Sequence, residues 1–124
     1  MVSFMKNYEN QTYALLRMIA GFLFLWHGSQ KLLGFPSESG ATGFVKWTAG
    51  GIELVGGVLI MIGLFTAPAA FLASGLMAAA YWMAHGTNDL FPILNRGELA
   101  VLYCFVFLYI SSKGDGMWSV GGKN

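Results

Sequence analysis

Gly50-Gly51-Ile52-Glu53-Leu54-Val55-Gly56-Gly57 sets one carboxylate among four glycines, inside a run from Trp47 to Phe65 that is otherwise apolar. About 20 apolar residues make one membrane-spanning helix, so the run predicts a span with an acid inside it. An acidic side chain at the centre of such a helix costs about 2.5–3.5 kcal/mol on insertion scales. Glu53 therefore requires a partner, a proton or a water-filled cavity, and the rest of the chain is read for what meets it.

The composition agrees with a membrane setting. Of 124 residues, 56% are hydrophobic and 10% charged, against about 25% charged in an average soluble domain. The length fits one domain, residues 1–124. A net charge of +1 leaves no footprint for nucleic acid. Cys104 is the single cysteine, which excludes an intrachain disulfide and a CxxC redox pair. The first apolar run is interrupted by Arg17, His27 and Lys31, unlike a cleaved signal peptide.

Four spans are expected, at about 13–33, 47–65, 67–85 and 95–112. The fold class is all-α, an integral membrane four-helix bundle with antiparallel up-down topology. Residues 34–40 and 86–96 read as loops, dense in Gly, Pro, Ser and Asn. Thr66 is placed to N-cap the third helix, with Pro68 in its first turn. Lys113–Asn124 is glycine-rich and expected to be irregular. Lys6, Arg17, Lys113 and Lys123 lie on the side of the termini, and Lys31, Lys46 and Arg96 on the other. The positive-inside rule then puts both termini in the cytoplasm, by a margin of one charge.

This topology gathers ionisable residues at one end. His27, Lys31, Glu53, His85 and Glu98 come from four helices and share the outer half, with Arg96, Asn95 and Asp89 beside them in the loop. At about 100° per residue, Arg17, Gly21, Phe24, His27, Gly28 and Lys31 share a face. So do Gly50, Glu53, Gly56, Gly57 and Ile60; Ser74, Ala78, Tyr81, Trp82 and His85; and Glu98, Leu102, Phe105 and Tyr109. Gly28, Gly50, Gly56 and Gly57 are read as close helix-packing positions rather than a phosphate loop, since they lack the strand-to-helix context and the lysine of a P-loop. The same glycine faces also suit packing between protomers in a homodimer. Glu53 is expected to pair with Lys31 or to hydrogen-bond His27. Arg17 is expected to snorkel to the inner headgroups, and Cys104 to be a small buried hydrophobe.

The ordered pieces Leu16-Arg17, His27-Gly28, Lys31-Leu32-Leu33-Gly34-Phe35, Gly51, Glu53, Gly56-Gly57, Gly63-Leu64-Phe65-Thr66, His85, Phe91-Pro92, Asn95, Gly97-Glu98-Leu99-Ala100 and Trp118-Ser119 resemble the DoxX family of small four-helix membrane proteins. Two departures are visible: Arg96 stands where the family often has glycine, and Val120-Gly121 where it often has Leu-Asp. The resemblance implies a small subunit of a membrane redox system in a bacterial or archaeal cytoplasmic membrane. Such a subunit binds quinone or anchors an oxidoreductase or other soluble partner. More distant relatives look like assembly factors, which makes a non-catalytic scaffold the alternative, with the cluster as a structural network; the resemblance does not fix whether the chain is an enzyme.

A quinone site needs donors and acceptors at interfacial depth and an apolar groove. His27, Lys31, Glu53, His85 and Glu98 are the candidates for the first; Trp82, Phe24 and Phe105 for the second; Arg17, Asn95 and Arg96 are supporting polar residues. Haem between His27 and His85, or a transition metal held by both with a glutamate, is chemically reasonable but less favoured than a histidine bonded to a neighbouring carboxylate. No metal site is assigned.

Overall fold

The structure is a computed structural model that describes residues 3–37, 41–84, 91–92 and 97–122. Among these residues the chain is all-helical. A 3-10 turn, Ser3–Tyr8, leads into α1 (Glu9–Leu32), followed by α2 (Gly43–Ile62), α3 (Thr66–Ala84) and α4 (Glu98–Lys113), with no strand. α1 packs against α2 and α3 against α4, while α2 and α3 join the two pairs.

Helix ends depart from the hydropathy boundaries for local reasons. α1 begins four residues before the apolar run, at Glu9, and Thr12 bonds back through its hydroxyl to the carbonyls of Tyr8 and Glu9. α2 stops at Ile62 although the apolar run continues to Phe65, because Gly63 takes a left-handed φ of 75°. The amides of Gly63 and Leu64 then bond back to Leu59, a Schellman-type end. Thr66 is the first residue of α3, not its cap. The cap comes from Asp115, whose Oδ1 accepts the Thr66 N–H at 3.1 Å, while the Thr66 hydroxyl is buried without a partner.

α1 and α2 touch backbone to backbone. A Cβ on Gly21 would lie 2.7 Å from the Gly57 carbonyl oxygen, and one on Gly28 would lie 2.6 Å from that of Gly50. A Cβ on Gly57 would in turn sit 2.7 Å from the Leu25 nitrogen. The glycines are spaced by seven on both helices, and their contacts run in opposite chain directions. Gly56 does not take part: a Cβ there meets nothing within 4 Å, because one residue rotates it about 100° off the seam.

Phe24, Ile60, Ala70, Ala73, Tyr103, Phe107 and Ile110 form the centre of the core. Here α4 corrects the sequence reading. Its buried stripe is Tyr103, Phe107 and Ile110, whereas Leu102 and Phe105 are 61% and 63% exposed and Tyr109 is half exposed. α4 is apolar around most of its circumference, so Glu98 was a poor marker of phase. Leu15, Ile19, Phe22 and Leu23 on α1, Val55 and Val58 on α2, Phe71 and Leu72 on α3, and Leu108 on α4 also face outward. By length and composition, α2 is the helix among the described residues that can cross a membrane by itself.

Arg17 is the second correction. It does not snorkel; it is fully buried. Its guanidinium donates to the carbonyls of Ile60, Asp115, Met117 and Trp118 at 2.7–3.0 Å and to that of Met61 at 3.5 Å. These use all five of its N–H donors. The C-terminal segment is irregular, as expected, yet closely held. Val120 and Gly121 donate to the carbonyls of Ile62 and Gly63, and the Tyr13 hydroxyl donates to Gly114 at 2.6 Å.

Two results are expected in thermal unfolding of the purified protein. Gly28→Val forces a side chain into the α2 backbone and lowers stability by about 1–3 kcal/mol or more, while Gly75→Ala, whose Cβ meets nothing within 4 Å, gains about 0.5–1 kcal/mol. Arg17→Met removes the side-chain donor to five carbonyls and costs at least about 3 kcal/mol. Hydrogen exchange at the Val120 and Gly121 amides then quickens; unchanged exchange would show that the tail is held without Arg17.

Candidate functional site

The glycine seam sets the position of the charged residues. Gly28 and Gly50 bring the last turn of α1 against the first half of α2, and Leu32 and Lys31 pack over Gly50, whose added Cβ would be 2.8 Å from Leu32 Cγ and 3.1 Å from Lys31 Cβ. Glu53 is one turn further along α2. The result is an ion pair, Lys31 Nζ to Glu53 Oε1 at 2.8 Å, with the two side chains 18% and 4% exposed. Of the two partners expected for Glu53, the structure selects Lys31. His27 packs edge to face on Tyr103, with ring centroids 5.9 Å apart and planes at 90°.

The pair borders a cavity of about 620 Å³. His27 and Lys31 of α1 and Glu53 of α2 form its polar end, with Tyr103 of α4. Ala49, Leu76, Met77, Ala80 and Ala100 make the inner apolar wall, and Phe44, Val45, Thr48, Ala79, Met83 and Leu99 the outer one. The volume lies in the usual range for small-molecule sites, about 300–1,000 Å³, and the composition, mostly apolar with a few convergent polar groups, is also typical. Alanines at 49, 79, 80 and 100 leave the space open.

Other expected site residues are placed differently. Glu98 is exposed on the first turn of α4 and is not among the residues lining the cavity; a carboxylate there favours the helix dipole. Trp82 is 63% exposed and meets Tyr81 edge to face, with ring centroids 5.2 Å apart, outside the cavity wall. Helical phase places Trp82 on one face with Ser74, Ala78, Tyr81 and His85, but Ala79, Ala80 and Met83 line the cavity instead. Phe24 is buried in the core against Phe107 and Phe105 points outward, so neither forms the groove. Arg17 belongs to the opposite end of α1. Cys104 is half-buried beside the core, its carbonyl accepting from Ser74 Oγ at 2.7 Å. His85, Asn95, Arg96 and Asp89 lie outside the described residues. Among the described residues, no three His, Cys, Asp or Glu side chains converge as metal ligands do.

Tyr103 and Thr48 were missed by the sequence reading. Tyr103 carries a signal in retrospect: it begins the i, i+4, i+7 stripe Tyr103-Phe107-Ile110 that runs parallel to the one chosen. Thr48 carries none, since a threonine near a helix start is common.

The DoxX family model matches residues 12–86, from α1 through α3. This chain belongs to the DoxX family. A protein from Haemophilus influenzae (strain ATCC 51907 / DSM 11121 / KW20 / Rd), named "Uncharacterized protein", is 42% identical over 96% of this chain and 95% of its own length. A Bacillus subtilis (strain 168) protein named "Putative oxidoreductase CatD" is 39% identical over 49% of each chain. No solved structure matches significantly. The DoxX match contains Arg17, His27, Lys31, Glu53 and the four seam glycines, while Tyr103 and the tail lie beyond it.

A double-mutant cycle tests the ion pair. Lys31→Met and Glu53→Gln are each expected to destabilise by about 1–3 kcal/mol, less than for a fully buried pair because Lys31 keeps some solvent contact. The double variant loses less than the sum, with a coupling of about 0.5–3 kcal/mol. Additive losses in thermal unfolding would mean that the two groups do not interact.

Proposed function

We propose that this DoxX protein is an integral membrane four-helix bundle of alternating helix direction, with both termini cytoplasmic, that binds a quinone in a membrane redox system and presents it to an oxidoreductase partner. The DoxX family is membrane-associated, and the outward apolar side chains of all four helices suit lipid rather than water, where contiguous apolar surface of that extent is unusual. A bacterial or archaeal cytoplasmic membrane is the setting. The name of the Bacillus subtilis relative supports a redox connection.

One observation carries the ligand reading: the Lys31–Glu53 pair, His27 and Tyr103 together line a 620 Å³ cavity whose other described walls are almost wholly apolar. Lys31 and the Tyr103 hydroxyl supply donors for a quinone carbonyl, and Glu53 supplies an acceptor for the hydroxyl of the reduced form. The alanine-lined wall accepts a ring and the start of a tail. Electrons come from the partner; this chain's residues bind and orient.

A second reading has its own support. Lys31 and Glu53 pair directly at 2.8 Å, as a structural lock between α1 and α2 would. The chain is then a non-catalytic scaffold for a membrane assembly.

Organic extraction of protein purified from native membranes separates the two. Quinone near one per chain by mass spectrometry is expected, falling about tenfold in Glu53→Gln, the effect of roughly 1.4 kcal/mol of lost binding. An extract free of quinone, with a co-purifying protein in fixed ratio, would replace this reading with the scaffold.

A further inference from the structure

The cavity wall changes character with depth. Ala49, Glu53, Met77 and Tyr103 are buried. Phe44, Val45 and Thr48 at the start of α2, Ala79 and Met83 near the end of α3, and Leu99 at the start of α4 line the same cavity yet are exposed. The cavity therefore has a mouth. α2 and α3 are joined by residues 63–65 at one end, and the rim residues lie near their opposite ends. Of the six described rim side chains, five are apolar and Thr48 is the exception.

A mouth opening to water normally carries polar side chains, because apolar rim residues gain nothing from facing solvent. This rim continues the outward apolar surface of the helices: Phe44 and Met83 are 81% and 70% exposed. The polar end of the cavity selects the occupant. Lys31 and Glu53 neutralise each other, so an anion would compete with Glu53 and a cation with Lys31. A neutral amphiphile with a hydrogen-bonding head displaces neither charge.

We propose that the cavity is filled sideways from the lipid phase, through a portal between the start of α2 and the end of α3, by a neutral amphiphile entering head first. Ala79 is the smallest of the six described rim side chains. The head reaches Lys31, Glu53 and Tyr103, and the apolar tail stays between Phe44 and Met83, in contact with lipid. This route rests on the ligand reading above but makes a separate claim.

The test uses the full chain in phospholipid vesicles with Cys104→Ser as background and Ala79→Cys as reporter. Two thiol reagents of opposite partition are applied: N-pyrenylmaleimide, which dissolves in lipid, and a sulfonated, membrane-impermeant methanethiosulfonate. Labelling by the first and resistance to the second are expected, and decylubiquinone is expected to slow labelling several-fold. Ala79→Phe, compared with Ala79→Ser, is expected to slow decylubiquinone uptake about tenfold with little change in the amount bound at equilibrium, because a gate alters rates in both directions.

Efficient labelling by the sulfonated reagent would place the mouth in water and overturn the portal. Labelling indifferent to decylubiquinone, in protein that does bind it, would put the ligand elsewhere and overturn it too. Loss of labelling at high protein density, with chain-to-chain disulfides through the introduced thiol, would make the rim an interface between two copies, which also overturns it. If native protein carries no quinone but Ala79→Cys keeps the lipid-side labelling pattern, the quinone reading fails while the portal for a neutral amphiphile stands.

Discussion

The contact on which the rest of the molecule depends is the backbone-to-backbone seam between α1 and α2. Gly21 and Gly28 lie directly on the α2 backbone beside Gly57 and Gly50. Close approach of this kind maximises dispersion contact and is a common way for helices to associate where lipid removes the hydrophobic drive. It also fixes register. A slip of one residue would rotate the seam about 100° and carry Lys31 off Glu53. The ion pair is thus a consequence of the glycines as much as of its own charges.

α1 carries a buried or half-buried cation toward each end, and the two are satisfied by different means. Arg17 is surrounded by carbonyls, a partner set that suits a planar guanidinium with five fixed donors. Lys31 is a compact charge at the end of a flexible stem and meets a carboxylate. The Arg17 end is closed by the tail, which also caps α3 through Asp115 and covers the last carbonyls of α2. The Lys31 end borders the cavity. One end is built for permanence and the other leaves room.

The legibility of the sequence followed the contrast between residues. On α2, Glu53 is a single acid in an apolar run, and the face it marks, Gly50 to Ile60, is the buried one. Helical spacing narrowed the partner of Glu53 to Lys31 or His27, one turn apart on α1, and only the packed structure selects Lys31. On α3 and α4 contrast is lacking: apolar residues surround both helices, and the faces drawn through their few polar residues misplaced Trp82, Leu102 and Phe105. Arg17 was misread for a different reason. Its partners are main-chain carbonyls of α2 and of a tail about 100 residues away, and no side chain in the sequence advertises them. Gly63 ended α2 earlier than hydropathy implied, because a left-handed backbone overrides an apolar composition.

The Arg17 cage also imposes an order on assembly. Its carbonyls at Asp115, Met117 and Trp118 do not exist until synthesis has passed residue 118. Arg17 is made within the first helix, and it must wait through the making of all four for most of its partners. Until then only Ile60 and Met61, of the carbonyls that surround it in the finished fold, are available to it. A late segment thus acts on an early one: the bundle is closed by residues that arrive after every helix is complete.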